Sequence, residues 1–373
     1  MKMSRKQHSL ITLNWSSLSR LNLFKMSDLK LKGLKRNVLL KNYTTFRIGG
    51  LADFFYEAKT EKDLIKAIKT ARKLYLSFFI LGRGSNILFD DKGFRGLIIR
   101  NSVSQIKIVE KLKRVVKKQT QGDAHYLPGD PKKYLQFSDL DYEQEPFDTE
   151  VEVSAGTPIQ YLIQQTLEKG LTGLQWFAGI PGSVGGGVVY NIHGGTKLFG
   201  DYVKDITIID KNNRVRKIKN KELGFIYDFS NIQKEKQIIL KATLLLSHGD
   251  IEKAKYVYKE WLSRKLKIQP QINCPGSVFQ NFSKIQIKKI NAPTLSAGWF
   301  IDQCGLKGKI IGNVQVSKKH ANFIINLGNG TSADVRELIK IIKKEVKRKF
   351  RLNLKEEIVI APNGMRHREE PST

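Results

Sequence analysis

Residues 179–187 read Gly-Ile-Pro-Gly-Ser-Val-Gly-Gly-Gly. Five glycines in nine positions permit positive φ and let a ligand approach the backbone without meeting Cβ atoms. Consecutive amides of such a run can converge on an anion, as in phosphate-binding nests. Tight turns in a β-rich domain are the plainer use of the same residues. Asn191, Gly194 and Gly195 follow and extend the stretch. A second turn, Gly82-Arg83-Gly84-Ser85-Asn86, comes directly after the apolar run Leu76–Leu81. It lacks the third glycine of a Rossmann turn and the acidic residue at the ribose-binding distance. Neither glycine run is followed by the Lys-Ser/Thr of a phosphate-binding P-loop. A nicotinamide Rossmann site and an NTPase are therefore disfavoured. Two separated glycine turns can still grip one long diphosphate from two lobes.

The other chemistry-bearing residue types are sparse. Cys274 and Cys304 fit neither a disulfide framework nor a zinc spacing, and the six histidines are scattered, so no metal site is expected. A chain of 373 residues is long for one core and points to two or three domains. No run of about 18 apolar residues occurs, so no membrane span is expected, and the cytosol is the simplest compartment. The net charge of +30 raises a nucleic-acid partner. The lysines are spread through Lys107–Lys118, Lys211–Lys221, Lys253–Lys267 and Lys340–Arg351, without interleaved stacking aromatics. Solvated helix faces explain that distribution better, so no specific nucleic acid is expected. The first 37 residues are basic and rich in serine and leucine, like a transit peptide or a dispensable leader ahead of Met26.

The elements that must hold the glycine turns alternate in type. Thr60 caps a helix through about Leu74, with Leu64, Ile65, Ile68 and Ala71 on one face. Leu76–Leu81 and Gly96–Arg100 read as strands. Residues 105–150 begin as an exposed basic strand or hairpin and turn polar and proline-bearing, which suggests a surface insertion. Val151–Ser154 returns to strand, and Pro158–Lys169 reads as a helix. Ile206–Asp210, Arg214–Ile218 and Gln237–Leu246 read as strands. Asp250–Lys267 is a charged helix that ends before Gln269-Pro270. In the last segment a helix is expected near Ser296–Gln303, and strands near Val314–Val316 and Phe323–Ile325. A long helix then runs from Thr331 or Ser332 to Phe350, with Val335, Leu338, Ile339, Ile342, Val346 and Phe350 as its apolar stripe. Glu356–Ile360 is a final strand that closes the domain.

Several stretches resemble, in order, the UDP-N-acetylenolpyruvoylglucosamine reductase family. They are Tyr43-Thr44-Thr45-Phe46-Arg47-Ile48-Gly49-Gly50, Leu81–Leu88, Ser154–Pro158, Phe177–Gly187, Gln269-Pro270, Gly276–Asn281, Ser317–Phe323 and Glu356–Ile360. Each motif is weak alone, and the ordered set is specific. The resemblance runs from about Asn42 to Ile360 apart from the insertion, and the long tyrosine-bearing loop of one branch is lacking. It implies an α+β fold: a two-lobed FAD-binding domain of the vanillyl-alcohol-oxidase type and a C-terminal α+β substrate-binding domain. The implied divisions are a basic extension at 1–37, disordered, and a first FAD lobe at 38–104. The insertion follows at 105–150, a second lobe at 151–248, the substrate domain at 249–362 and a tail at 363–373. A monomer is expected.

The resemblance implies a flavoenzyme in which NADPH delivers reducing equivalents to FAD and the enolpyruvyl ether of a UDP-sugar accepts them. The FAD contacts it implies are Tyr43, Arg47, Gly82, Arg83, Gly84, Ser85, Asn86, Ile87, Gly179, Ile180, Pro181, Gly182, Ser183, Gly185, Gly186, Asn191 and Gly194. For substrate it implies Tyr227, Arg264 (or Lys265), Gln269 and Asn281, with His320 and Asn322 at the domain interface. Ser277 falls at the family's proton donor and Glu357 at its carboxylate, with Glu356 pointing to the opposite face of a regular strand. Asp228 stands where the family has an arginine beside the developing enolate. A donor lost at such a place costs on the order of 3 kcal/mol of transition-state stabilisation. Another departure puts His193 after Asn191-Ile192, and His193 or Lys197 is a candidate to restore the charge. Two other functions remain open: a flavin oxidase or dehydrogenase of the same fold with another substrate, and a catalytically impaired flavin-fold binding protein.

Overall fold

A computed structural model describes residues 29–115, 140, 145–195, 197–235, 237–288, 290 and 292–361. Residues 1–28, most of the expected insertion (116–139 and 141–144) and the expected tail lie outside them.

The first lobe is a four-stranded sheet in the order Lys35–Leu39, Leu51–Ala58, Phe94–Asn101, Phe78–Leu81. The first pair is antiparallel and the other two are parallel. The helix Glu61–Lys73 connects two of these strands, and its amphipathic spacing buries Leu64, Ala67, Ile68 and Ala71 on one face of the sheet. Thr60 caps it by accepting from the Asp63 amide at 3.1 Å. The expected start of order at 38 is corrected. Leu29, Leu31 and Leu34 are buried in the same core, and Lys35–Leu39 is a strand, so apolar burial is present at least nine residues earlier.

The second lobe is an antiparallel sheet with a path Val215–Lys219, Val203–Ile209, Ile238–His248, Phe147–Ser154, Ile106–Val115. Residues 106–115 therefore belong to this sheet rather than to a surface insertion. Alternate residues of Phe147–Ser154 face a core that includes Ile159, Leu162, Phe177, Val188, Phe199 and Tyr202.

The helix Ile251–Ile268 was expected to open the substrate domain, but it packs on the second lobe. Val257 meets Trp176, and Trp261 packs with Ala178. The C-terminal domain begins after it. There the helix Ser332–Phe350 lies over the small sheet Ile310–Ile311, Val314–Val316, Ile324–Asn326 and buries Val335, Leu338, Ile339, Ile342 and Val346. Phe46, Ile48 and Leu88 of the first lobe are buried in that same core. Across this seam Asp91 accepts from the Ser332 amide and hydroxyl at 2.9 and 2.8 Å. The last strand does not close the C-terminal domain on itself. Val359–Ile360 pairs in parallel with Ile87–Leu88 of the first lobe, so the chain end is stitched to the strand that follows the first glycine turn. Among the described residues no helix is long and apolar enough to cross a membrane.

Candidate active site

The two glycine turns face each other. A Cβ on Gly82 would stand 2.6 Å from the Ser183 hydroxyl, so the turns touch there and any larger residue would make the Ser183 side chain move. A Cβ on Gly84 would stand 2.1 Å from the Tyr43 carbonyl, at φ +66°. Gln160 ties down the second turn by donating to the carbonyls of Phe177 and Ile180, each at 3.0 Å, and by accepting from the Gly179 amide. Ser183 caps the short helix Val184–Val189 through the Gly186 amide.

Between the turns and the C-terminal domain lies one cavity of ≈ 1770 Å³. A single small-molecule site is typically about 300–1,000 Å³, so this space suits a dinucleotide together with a second ligand. It is lined by Gly82–Ile87, by Gly179–Ser183, Gly185 and Gly186, by Tyr227, Asp228 and Gln269, and by Ser277 and Glu357. Asn86 Oδ1 is buried in that wall and has no hydrogen-bond partner, while its Nδ2 donates to the Glu357 carbonyl at 3.2 Å. A buried acceptor without a donor fits a ligand that brings an N–H. The glycine cradle, the cavity size and this orphaned oxygen all fit a flavin dinucleotide.

Six of the expected contacts do not line the cavity. The Tyr43 ring packs on Phe55 at 4.4 Å and beneath Arg100 at 5.2 Å, so it props the first turn from behind. Arg47 is exposed, with its carbonyl accepting from Asn326 at 3.2 Å. Asn191 is buried with both amide atoms engaged, to Ile226 and Gly200. Gly194 fills a spot where a Cβ would stand 2.2 Å from the Trp176 carbonyl. Asn281 accepts from the Ala297 amide at the start of the helix Ala297–Gln303. Arg264 turns toward Glu260, one turn away on its own helix.

Lys265 takes the place expected of Arg264. It lines the cavity, donates to the Ala178 carbonyl at 2.8 Å and stands 4.9 Å over the Trp261 ring. Burial pushes its ammonium down from 10.5 to about 7. The signal was in the helix period, because Val257, Trp261 and Lys265 recur every fourth residue and Ala254 completes the buried stripe. Lys265→Met is expected to raise Tm most at pH 7 and below. The native lysine loses its proton near pH 7 and the unfolded one near 10.5, so wild-type stability climbs with pH between those values. The advantage of the variant therefore shrinks from pH 7 toward 10 in paired thermal melts. A gap independent of pH would contradict the burial of this charge.

At the C-terminal-domain wall, Ser277 follows Gly276 (φ +88°) and makes no hydrogen bond through its hydroxyl to the described residues. Glu356 is ion-paired with Lys343 at 2.5 Å. Both Glu356 and Glu357 line the cavity, so the expected split onto opposite faces does not hold, and among the described residues it is Glu356 that has the lysine partner. Burial, and after it the charge of Asp228, holds its carboxyl well above the ordinary range. His320 lines the same wall. Burial pushes it down to about 4, and its Nδ1 accepts from the Asn322 amide at 3.2 Å. Asn322 clamps Phe279 by accepting from its amide and donating to its carbonyl. Of the two candidates for replacing the arginine charge, His193 lines the cavity and stands 3.8 Å from Asp228. Lys197 lies over the Trp176 ring at 5.8 Å.

Two lobes of one domain gripping a dinucleotide cavity, closed by a second, C-terminal domain that brings a hydroxyl and a carboxyl, define a two-domain flavin-dependent oxidoreductase. The family model for the FAD-binding domain matches residues 135–219. That for the C-terminal domain of UDP-N-acetylenolpyruvoylglucosamine reductase matches residues 269–361. The reductase of that name from Caldanaerobacter subterraneus subsp. tengcongensis is 32% identical over 326 residues, covering 87% of this chain and 92% of its own. That from Chlamydia abortus is 32% identical over 330 residues, 88% of this chain and 95% of its own. The crystal structure of UDP-N-acetylenolpyruvylglucosamine reductase from Thermus caldophilus matches with a TM-score of 0.64 at 27% identity, covering 88% of this chain and 99% of that one. The chain belongs to the UDP-N-acetylenolpyruvoylglucosamine reductase family.

Proposed function

We propose that the protein catalyses the NADPH-dependent, FAD-mediated reduction of UDP-N-acetylglucosamine enolpyruvate to UDP-N-acetylmuramate, a step of peptidoglycan precursor synthesis. The observation that carries this reading is one cavity walled both by the two glycine turns and by Ser277 and Glu357. FAD held there supplies hydride chemistry, with NADPH as the source of reducing equivalents.

The chain's residues do the rest. Gly82, Gly84, Gly185 and Gly186 line the cavity and would hold the cofactor there, with Asn86 Oδ1 as an acceptor. Lys265 and Gln269, on the wall nearest the end of their helix, are placed to meet anionic groups of the nucleotide. The Ser277 hydroxyl is half-buried and unengaged, so its proton is available to a strongly basic carbon once water is excluded. Burial and the charge of Asp228 favour the protonated form of Glu357, which can donate a hydrogen bond to an oxygen that gains charge. Tyr227 is held against His193 at 5.0 Å and shapes the same wall.

An anaerobic titration tests the reading. The purified protein should show a flavin absorbance that NADPH bleaches and UDP-N-acetylglucosamine enolpyruvate restores. Bleaching with no recovery on adding that compound favours a second reading, oxidoreduction of another substrate. One observation speaks for that second reading: Asp228 lines the cavity with a carboxyl where the family has an arginine.

A further inference from the structure

The second glycine turn is held differently at its two ends. Its downstream end is laced to backbone. The Ile159 amide donates to the Gly182 carbonyl at 3.1 Å, the Val184 amide to the Thr157 carbonyl at 2.9 Å and the Gly185 amide to the Ala155 carbonyl at 2.8 Å. At the upstream end, Phe177–Ile180, the backbone bonds are local. The Phe177 amide donates to the Leu174 carbonyl at 3.0 Å, and the Ile180 amide to the Phe177 carbonyl at 3.2 Å. Two side chains tie this end to neighbouring helices: Lys265 holds Ala178, and Gln160 holds Phe177, Gly179 and Ile180. Gln160 is the second residue of the helix Ile159–Glu168. Its Nε2 donates to the Phe177 and Ile180 carbonyls, and its Oε1 accepts from the Gly179 amide at 3.0 Å and the Tyr258 hydroxyl at 3.3 Å. A glutamine amide offers two donors and two acceptor lone pairs, and here all four are engaged. Gly179, Ile180, Pro181 and Gly182 line the cofactor cavity, whereas Gln160 does not. With Tyr258 it lines a separate cavity of ≈ 880 Å³.

We propose that Gln160 is a positioning residue for the cofactor: it acts through Phe177–Ile180 and keeps that end of the glycine turn in its gripping shape before FAD arrives. The Gly179 backbone lies in the left-handed region, φ +76°, where glycine meets no steric cost and is also freest to leave. When a site holds its competent shape for only part of the time, its apparent affinity falls by that fraction. The four bonds of Gln160 keep the fraction high. Other side chains cannot make them. Ionised glutamate has no donor for the two carbonyls, asparagine is one methylene shorter, and leucine forms none of the four. Lys265 lines the cofactor cavity and holds the intervening Ala178 carbonyl, so the two side chains clamp consecutive peptide units from different sides. The inference rests on the reading above in one respect only, that the cavity takes FAD; the identity of the substrate does not enter.

Titration of FAD into the full chain stripped of flavin, read by the change in flavin fluorescence, tests the assignment. Gln160→Leu is expected to raise the Kd for FAD by about 10–100-fold, as the loss of one or two net hydrogen bonds would. Gln164→Leu, on the same helix and bonded to Glu168, should leave the Kd unchanged. A glutamine that only stabilises the fold would lower the Tm of the flavin-free protein and leave the Kd alone, and that result overturns the proposal. So does an equal rise in Kd for both variants. Hydrogen exchange on wild type adds a readout that needs no variant. The Gly179 amide should be protected already without FAD and gain little when FAD binds. Fast exchange there in the flavin-free protein, with protection only on binding, overturns the proposal even if Gln160→Leu does not fold. A wild type that takes up no FAD sinks the flavin reading instead, and protection of Gly179 that is lost in Gln160→Leu still supports the hold on the turn.

Discussion

Ser277→Ala is expected to leave FAD binding and bleaching by NADPH unchanged, and to slow recovery of the flavin absorbance on adding UDP-N-acetylglucosamine enolpyruvate by about 10²–10⁴-fold. The backbone around this serine is clamped independently of its hydroxyl. The Val278 amide donates to the Asn322 carbonyl at 2.8 Å, and Phe279 bridges to Glu356. Asn322 holds Phe279 from both sides. Removing one oxygen therefore leaves the wall in place, and a change in kcat with little change in KM reports the loss of a proton needed only in the reaction. A merely structural turn serine would shift stability by a few tenths of a kcal/mol and leave recovery intact. Recovery at the wild-type rate would remove Ser277 from the mechanism.

Local physics is the part of this molecule that its sequence displays. The helix Ser332–Phe350 announces itself by its apolar stripe, of which Val335, Leu338, Ile339, Ile342 and Val346 are buried and Phe350 is half-buried, and Thr331 caps it. The glycine turns are legible for the same reason, since backbone that must take positive φ or touch other backbone leaves little choice but glycine. What escaped notice depends on contacts between distant residues. Nothing in Val359–Ile360 says that it pairs with Ile87–Leu88 and not with its own domain. The charged helix Ile251–Ile268 looks unaligned until Trp176 and Ala178 are placed under Val257 and Trp261. Tyr43 and Arg47 belong to a segment that packs against the first turn in space, and the resemblance implies that they touch the cofactor. The structure instead uses that segment to support the turn and to anchor the C-terminal domain through Phe46 and Ile48.

That support is testable, because it makes Gly84 the least replaceable residue of the cavity wall. Gly84→Ala is expected to cost more than about 4 kcal/mol, or to prevent folding, and with it retention of FAD. The left-handed backbone alone costs an alanine roughly 1–2 kcal/mol. The rest comes from the Cβ, which would sit 2.1 Å from the Tyr43 carbonyl and 3.0 Å from Thr44 Cα. Neither side is free to retreat. The Thr45 amide donates to the Gly84 carbonyl at 2.9 Å, and the Thr45 hydroxyl donates to the Cys274 carbonyl at 2.8 Å. Gly276 supplies the control, since it has φ +88° and no atom within 4 Å of its ideal Cβ. Gly276→Ala should therefore pay the backbone term only, roughly 1–2 kcal/mol in urea unfolding. Equal losses for the two variants would mean that the Tyr43 carbonyl moves aside, and that the segment Tyr43–Ile48 is not the rigid back wall that its contacts describe.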